Sequence, residues 1–271
     1  MALLEVKNLS TCFFARTGAQ KAVDDISFSV ESGETFGLVG ESGSGKTVSA
    51  LSILNLVDEP GKITGGKVIF DGKSLLSLSK EEIRNVRGRD ISIVFQEPLT
   101  ALNPVITIGE QITEQILAHV SVSKKEAKDR AIASMLEAHL KSPERIFYDY
   151  PHRLSGGMRQ RAMIAMALCL RPKLLIADEP TTALDVTIQA GILDLFQEIK
   201  EKHNMSILFI THDFGIIAQL ADKIAVMQKG RIAEEGSAED IFYAPKTKYT
   251  KELLKAIPKI PDELRIFNDR G

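Results

Sequence analysis

Eight consecutive residues carry the strongest chemical signal in the chain: Gly40-Glu41-Ser42-Gly43-Ser44-Gly45-Lys46-Thr47 fits G-x-x-x-x-G-K-[ST] without a gap. A short apolar run, Thr35–Val39, leads into it, and Val48–Leu56 reads as a helix leading out. In a strand–loop–helix context the backbone N–H groups of a tight loop converge on one point. The helix N-terminus adds partial positive charge there. Glycine allows the backbone to approach closely at unusual φ. The chemistry is anion binding. Lys46 can reach the β- and γ-phosphates of a nucleoside triphosphate, and the Thr47 hydroxyl can ligate Mg²⁺. Gly40, Glu41, Ser42, Gly43, Ser44, Gly45, Lys46, Thr47 and Val48 are the candidate nucleotide contacts. A flexible Gly/Ser turn before a solvated lysine would carry the same letters without the flanking strand and helix. Alone, the motif specifies only a nucleoside triphosphate; kinases, GTPases and motors share it.

Lys173-Leu174-Leu175-Ile176-Ala177-Asp178-Glu179-Pro180 reads as a buried strand ending in two carboxylates. Ligands gather at the carboxyl ends of parallel strands. Asp178 is suited to hold the Mg²⁺ that bridges phosphates. Glu179 points elsewhere and can polarise an attacking water as general base. One carboxylate on metal and one on water make a hydrolase arrangement. Strand-end solvation or helix capping is the bland alternative, and it weakens beside a phosphate loop.

Leu154-Ser155-Gly156-Gly157-Met158-Arg159-Gln160-Arg161 opens a helix and is a second anion-binding helix N-terminus. One chain cannot bring both glycine sites to one phosphate if they lie at opposite ends of it; a head-to-tail pair of chains can. This run resembles the LSGGQ-type signature loop of ABC ATPases, with Met158 where glutamine is commonest. The resemblance implies that Ser155, Gly156, Gly157 and Met158 of one chain meet the nucleotide of another, sandwiching ATP. Other residues match the family pattern in order. Gln96, in Val94-Phe95-Gln96-Glu97, is similar to the Q-loop glutamine that touches Mg²⁺ or water and reports γ-phosphate to the helical part. Ala183-Leu184-Asp185 resembles the D-loop, which crosses the dimer seam. His212, after the run ending Ile210-Thr211, resembles the histidine that contacts the γ-phosphate. Phe13 resembles the aromatic that stacks on adenine, with neighbouring Phe14 as the fallback. Taken singly, a histidine is usually structural, a glutamine a surface residue and a phenylalanine core; their order over residues 13–212 changes that reading.

The runs Phe95–Pro104, Tyr150–Arg161 and Thr181–Ala190, with the tail Phe242–Pro245 and Tyr249–Leu254, are similar to the peptide/nickel importer ATPases. Some longer members carry a cysteine-rich extension for an iron–sulfur cluster. No cysteine follows Cys169, so no cluster is expected, and the nickel branch stays open. The resemblance implies an ATP-binding and ATP-hydrolysing subunit, with ATP and Mg²⁺ as its cofactors. It energises import of dipeptides, oligopeptides or nickel and other metal chelates. Implied partners are a second ATPase subunit, a related chain rather than a copy, two integral-membrane permease subunits, and indirectly an extracytoplasmic substrate-binding protein. The expected place is the cytoplasmic face of the cell membrane, held there peripherally by the permeases.

The elements that must position these residues are legible as periodicity. Leu3–Leu9 and Ile26–Val30 alternate like half-buried strands, and Gly65–Phe70 and Ile91–Phe95 are further strands. Glu110–His119 and Lys124–Leu140 have helical periodicity with charged faces, between Pro104 and Pro151. Then come helix Gly156–Leu170, strand Leu174–Ala177, helix Gln189–Lys202, strand Ile207–Ile210, helix Phe214–Leu220, and strands Ile224–Gln228 and Arg231–Glu234. Buried strands alternating with helices imply a parallel sheet covered on both faces. The tail from Ser237 reads as short, charged and proline-punctuated. The expected fold is α/β: a P-loop NTPase of the ABC nucleotide-binding type, with a mixed sheet core, an antiparallel β subdomain and a helical subdomain. The ATPase domain is expected over 1–257, with the helical part inserted at about 98–165 and a tail of the importer type at 237–271.

Composition narrows the classes. With 34 basic and 36 acidic residues the net charge is −2, so no global basic field attracts nucleic acid, and no nucleic-acid partner is expected. Cys12 and Cys169 are isolated, which suits packed thiols and not structural zinc. Glu5 interrupts the first apolar run, and the longest apolar stretch, around Ala162–Leu170, falls far short of the ~20 residues of a membrane span. Soluble ABC-type ATPases of repair or translation carry a long coiled coil or two phosphate loops. A P-loop kinase gives no reason for Ser155–Gly157 and His212 together.

Overall fold

The computed structural model describes residues 2–15, 18–182 and 184–256. In chain order the elements are β1 (Ala2–Ala15), β2 (Gly18–Glu31), β3 (Thr35–Val39), α1 (Lys46–Ile53), β4 (Gly61–Phe70), β5 (Lys73–Ser74) and α2 (Lys80–Val86). There follow β6 (Ile91–Val94), α3 (Pro98–Ala101), α4 (Ile108–His119), α5 (Lys124–Glu137), α6 (Pro143–Ile146) and α7 (Gly156–Leu168). The chain continues with β7 (Leu174–Asp178), α8 (Val186–His203), β8 (Ser206–Thr211), α9 (Phe214–Leu220), β9 (Lys223–Gln228), β10 (Arg231–Ser237), α10 (Ala238–Tyr243) and α11 (Lys248–Lys255). These residues form two compact units. One holds the chain up to Ile83 and from Ser206 on; the other is Arg84–Met205.

In the first unit, β2, β1, β4 and β5 form an antiparallel sheet in that order. Ile26, Phe28 and Val30 of β2 turn inward while Ser27 faces out, the period-two pattern of a half-buried strand. Each such apolar side chain contributes roughly 1.5–3 kcal/mol by burial. The Asp71-Gly72 turn joins β4 to β5 with both residues at positive φ, 47° and 75°. The same unit contains strands in the order β10, β9, β3, β8, with β3 parallel to β8 and β9 and β10 antiparallel at the edge. Every residue of β3 is buried, so its sequence shows a continuous apolar run without alternation. Phe36 of β3 stacks on Phe28 at 5.0 Å between ring centres, tying the two sheets of this unit together.

The second unit pairs β6 with β7 in parallel, Ile91 opposite Leu174 and Val94 opposite Ala177. Its helices have side-chain caps. Thr107 and Glu110 form a reciprocal capping box on α4, and Ser123 accepts from Glu126 N on α5 at 3.1 Å. α5 ends at Glu137, short of the expected Leu140, because His139 takes φ 57°; α7 ends at Leu168, and Arg171 takes φ 53°. The Glu137 carboxylate then receives Lys202 at 2.7 Å and His203 at 2.6 Å from the last turn of α8. Burial pushes the Glu137 carboxyl up, but these two partners outweigh it and hold the carboxyl below its usual range.

The tail differs from its reading as a short charged stretch. α10 and α11 form there because each has a cap: Ser237 accepts from Asp240 N at 3.1 Å, and Thr247 accepts from Thr250 N at 3.2 Å. Glu234 of β10 supplies the anchor. Its carboxylate accepts from Lys246 N at 2.6 Å, Thr247 N at 3.0 Å and the Thr247 hydroxyl at 2.9 Å. Burial pushes this carboxyl up, yet the hydrogen bonds from Thr250, Lys246 and Thr247 prevail and lower it to about 2. Its folded pKa lies below the ordinary 4.5, so the anchor's contribution is full above that value and is lost as pH falls through about 2. Hydrogen exchange should therefore show the α11 amides losing protection as pH drops below about 4, and Glu234→Gln should lose most of that protection at neutral pH. Equal protection of α11 in wild type and variant would contradict the anchor.

Candidate functional site

Residues 40–45 fill the turn between β3 and α1, and Lys46 and Thr47 open the helix. Strands β8 and β9 flank β3, so the loop leaves a rigid strand end. The two ends of the loop have no room for side chains. At Gly45 φ is 106°, and a Cβ would stand 2.3 Å from the Ala22 carbonyl oxygen and 2.8 Å from Met227 Cε. At Gly40 a Cβ would stand 2.2 Å from the Met227 carbonyl oxygen. Gly43, φ 77°, faces open space, so there the positive φ alone asks for glycine. α1 begins at Lys46, two residues earlier than the sequence suggests, with neither a capping side chain nor an acidic residue in its first turn. Thr47 and Val48 follow inside that turn.

Lys46 is 4% exposed, and its ammonium folds back to donate to the carbonyl oxygens of Gly40 at 2.7 Å and Glu41 at 2.9 Å. The Ser44 hydroxyl is buried and lacks a hydrogen-bond partner among the described residues. An orphan hydroxyl costs about 1–3 kcal/mol, and an anionic oxygen in the loop would relieve it. Ser42 is exposed at the loop's tip. His212 comes directly after β8, exposed, and the next residue, Asp213, caps α9. The two aromatics alternate across β1: Phe13 is half-buried against Gly61, while Phe14 is 48% exposed.

In the second unit, Asp178 closes the fully buried β7 and is itself 2% exposed. Glu179 follows at φ 46°, a left-handed conformation that a non-glycine residue holds only when its surroundings enforce it. Its carboxylate accepts from the Thr182 hydroxyl at 3.0 Å and from Gln96 Nε2 at 3.4 Å. The structure therefore brings Gln96 to Glu179 across 83 residues of sequence. Thr182 is a site residue that the sequence reading missed; its spacing of three from Glu179 across a turn was the available signal. Because the Gln96 amide nitrogen is turned to Glu179, its amide oxygen is the atom able to serve a cation.

Ser155 caps α7, accepting from Met158 N at 3.3 Å, and the first turn of α7 contains no acidic residue. Gly156 faces open space. Gly157 has a packing reason to be glycine: a Cβ would stand 2.8 Å from Ile188 Cγ2. Asp185 is exposed and caps α8 through Ile188 N at 2.9 Å; Ala183, in the same expected loop, lies outside the described residues.

Among the described residues no group of three or more His, Cys, Asp or Glu could hold a metal by itself. A hard divalent cation carried on phosphate oxygens needs only one or two protein oxygens; within its own unit each of the Thr47 hydroxyl and the buried Asp178 carboxylate is a group of that kind. Among the described residues no helix is long and apolar enough to cross a membrane.

A glycine loop from a central parallel strand into a helix, with a carboxylate-ended parallel strand, defines the class of P-loop nucleotide-binding α/β proteins. Comparison with known proteins narrows the class. Residues 23–182 match the ABC transporter family. The chain is 49% identical to the oligopeptide transport ATP-binding protein AppD of Bacillus subtilis (strain 168), over 98% of this chain and 81% of that protein. It is 48% identical to the dipeptide transport ATP-binding protein DppD of Escherichia coli (strain K12), over 97% of this chain and 80% of that protein. Among solved structures it resembles the dimeric post-hydrolysis state of the ATP-binding cassette MJ0796 bound to ADP and Pi. The TM-score there is 0.78 at 27% identity, covering 87% of this chain and 98% of that one. It also resembles cbiO1 from Clostridium perfringens, part of the cbiONQ transporter complex, with TM-score 0.76 at 25% identity over 96% and 97% of the two chains. The chain belongs to the ABC transporter family and is an ATPase.

Gly45→Ala meets both a forbidden φ and the Ala22 carbonyl, so urea unfolding should show a loss of at least ~3 kcal/mol. Gly43→Ala meets only the φ penalty and should lose about 1–2 kcal/mol. Equal losses would contradict the close approach at Gly45.

Proposed function

We propose that this chain is the ATP-hydrolysing subunit of a membrane importer for peptides, working as one half of an ATP-clamped pair. The observation that carries the reading is near full-length likeness to oligopeptide and dipeptide transport ATP-binding proteins, joined to the Gln96–Glu179–Thr182 contact.

In this reading Gly40–Val48 cradle the triphosphate through main-chain N–H groups, and Lys46 leaves its two loop carbonyls for the β- and γ-phosphates. Thr47 and Asp178, with Gln96, would hold Mg²⁺. When bound, that ion neutralises charge on the phosphates and adds electrophilic assistance to their cleavage. Glu179 takes a proton from water as the water oxygen bonds to the γ-phosphorus. The bond from that phosphorus to the β,γ-bridging oxygen breaks, and the electron pair leaves with ADP. Thr182 and Gln96 orient the Glu179 carboxylate for this task; its tightly held, left-handed backbone supports a positioned base. His212 steadies the γ-phosphate, and Phe13, or the more exposed Phe14, stacks on adenine.

The partner's Ser-Gly-Gly loop closes on this nucleotide, and this chain's own Ser155–Met158 closes on the partner's. An α7 terminus capped by the neutral Ser155 hydroxyl and free of acidic residues in its first turn supports that role, since its dipole favours an anion. Asp185 lies along the seam. The partner ATPase is a related second subunit. Two integral-membrane permeases hold the pair at the cytoplasmic face, and an extracytoplasmic binding protein delivers cargo to them. The segment after Gln96, where Leu99 and Val105 are exposed apolar side chains, grips the permeases. Loss of the shared γ-phosphate reopens the pair.

Glu179→Gln should bind ATP as wild type does yet turn over at least ~100-fold slower in a steady-state phosphate-release assay. Lys46→Ala should weaken nucleotide binding in a titration. Unchanged turnover in the first variant rules out the general base, and unchanged affinity in the second rules out the phosphate loop.

A further inference from the structure

The tip of the β9–β10 hairpin stands behind the glycine loop, and β2 holds it there. Between the pairs Leu9–Ile26 and Thr11–Val23, β1 has only Ser10 while β2 has two residues, Asp24 and Asp25. Asp25 takes φ 58° and donates its N–H to the Ser10 hydroxyl at 3.0 Å. This bulge re-aims Asp24. Its N–H leaves the ladder and donates to the Gly230 carbonyl at 2.8 Å. Its carboxylate is held on both oxygens. Arg231 Nε and Nη2 reach Oδ2 at 2.8 and 2.6 Å, and Lys21 Nζ reaches Oδ1 at 2.9 Å. Asp24 thus grips Gly230 by its main chain and the next residue, Arg231, by its side chain.

Gly230 passes this hold to the loop. Its own N–H donates to the Ser44 carbonyl at 2.9 Å. In a trans peptide the carbonyl and the following N–H point in opposite directions. A Ser44 carbonyl drawn back to Gly230 therefore aims the Gly45 N–H the other way, into the loop. Glycine at 45 would let this peptide rotate, since glycine accepts φ of either sign. The rotated form would turn a carbonyl oxygen toward a bound phosphate and take a donor away from it. The side chains of Arg231 and Lys21 are 71% and 59% exposed, and ion pairs of such exposure contribute little to stability. What the clamp fixes is the direction of one peptide.

We propose that Asp24 and Arg231 are positioning residues for the phosphate loop: by fixing Gly230 they hold the Ser44 carbonyl outward and keep the Gly45 N–H aimed at the bound phosphate. Neither side chain touches nucleotide. The pair acts through the Asp24–Gly230 and Gly230–Ser44 main-chain bonds. This rests on reading residues 40–47 as the phosphate loop.

The test uses the full chain, a non-hydrolysable ATP analogue with Mg²⁺, and calorimetric titration. Asp24→Ala removes the carboxylate and keeps the main-chain donor. Analogue affinity should fall roughly 3- to 10-fold, the scale of one hydrogen bond. Tm without nucleotide should fall by no more than ~3 °C, as for loss of an exposed ion pair. Arg231→Ala should weaken binding similarly, and the double variant should bind no worse than the weaker single. In isotope-labelled protein the Gly45 amide proton should move downfield when the analogue binds, and by less in Asp24→Ala. Wild-type affinity in Asp24→Ala, a larger fall in Tm, additive losses in the double variant, or an unaltered Gly45 shift would each overturn the proposal. Lys46→Ala separates the two levels. If it binds the analogue normally, the phosphate-loop reading fails and takes this inference with it; if it binds weakly while Asp24→Ala does not, only the role of the Asp24–Arg231 pair fails.

Discussion

One steric constraint shapes the first unit around its loop: at Gly40 and Gly45 the backbone passes so close to Met227 and Ala22 that no Cβ fits. Met227 belongs to β9 and Ala22 to β2, so the strand beside β3 and the neighbouring antiparallel sheet both define the loop. Gly230 N adds a bond to the Ser44 carbonyl at 2.9 Å, and Asp24 N donates to the Gly230 carbonyl at 2.8 Å, closing the support behind the turn. The result is a compact ring of main chain whose ammonium and one hydroxyl are held inside with limited partners. On the proposed reading the main chain of this ring is arranged for an anion before one arrives, and preorganisation of this kind removes ordering cost from binding.

The second unit applies a comparable restraint to a carboxylate. Glu179 sits in a left-handed conformation that costs on the order of 1–2 kcal/mol for a non-glycine residue. The turn that enforces it is closed by Thr182 N on the Glu179 carbonyl at 3.2 Å and by the Thr182 hydroxyl on its carboxylate. Gln96 reaches the same carboxylate from the end of β6. Movement of the segment that carries Gln96 would therefore alter the Glu179 side chain directly. On the proposed reading this is how permease contact and hydrolysis communicate.

Much of this was legible in the sequence. Thr35–Val39 and Phe214–Leu220 form the strand and helix expected to the residue, the first because a five-residue apolar run ending at Gly40 is too short for a buried helix, the second because Asp213 caps it. The length of the β1–β2 hairpin was not legible: residues Gly18 to Lys21 are exposed and show no apolar alternation, and only pairing partners such as Gln20 opposite Phe13 keep them extended. The tail helices were hidden as well, since their caps depend on Glu234 in a strand, not on local periodicity. Within the site, the glycine loop and the acidic strand end were readable as motifs. Gln96, His212 and Phe13 were readable only as resemblances. The contact of Thr182 with Glu179 needed coordinates, because a threonine does not announce such a role. Gly157 shows the reverse case: a glycine credited to ligand approach that has a sufficient cause in Ile188.

The account stands on one triphosphate being held by two chains at once. Spin labels report this directly, one at exposed position 153 of this chain, just before the Ser155–Met158 loop, and one beside, not on, the phosphate loop of the ATPase subunit paired with it. In a hydrolysis-blocked preparation loaded with MgATP, pulsed dipolar spectroscopy should find a short distance, which lengthens when nucleotide is removed. A distance that stays long with nucleotide bound would contradict the two-chain grip.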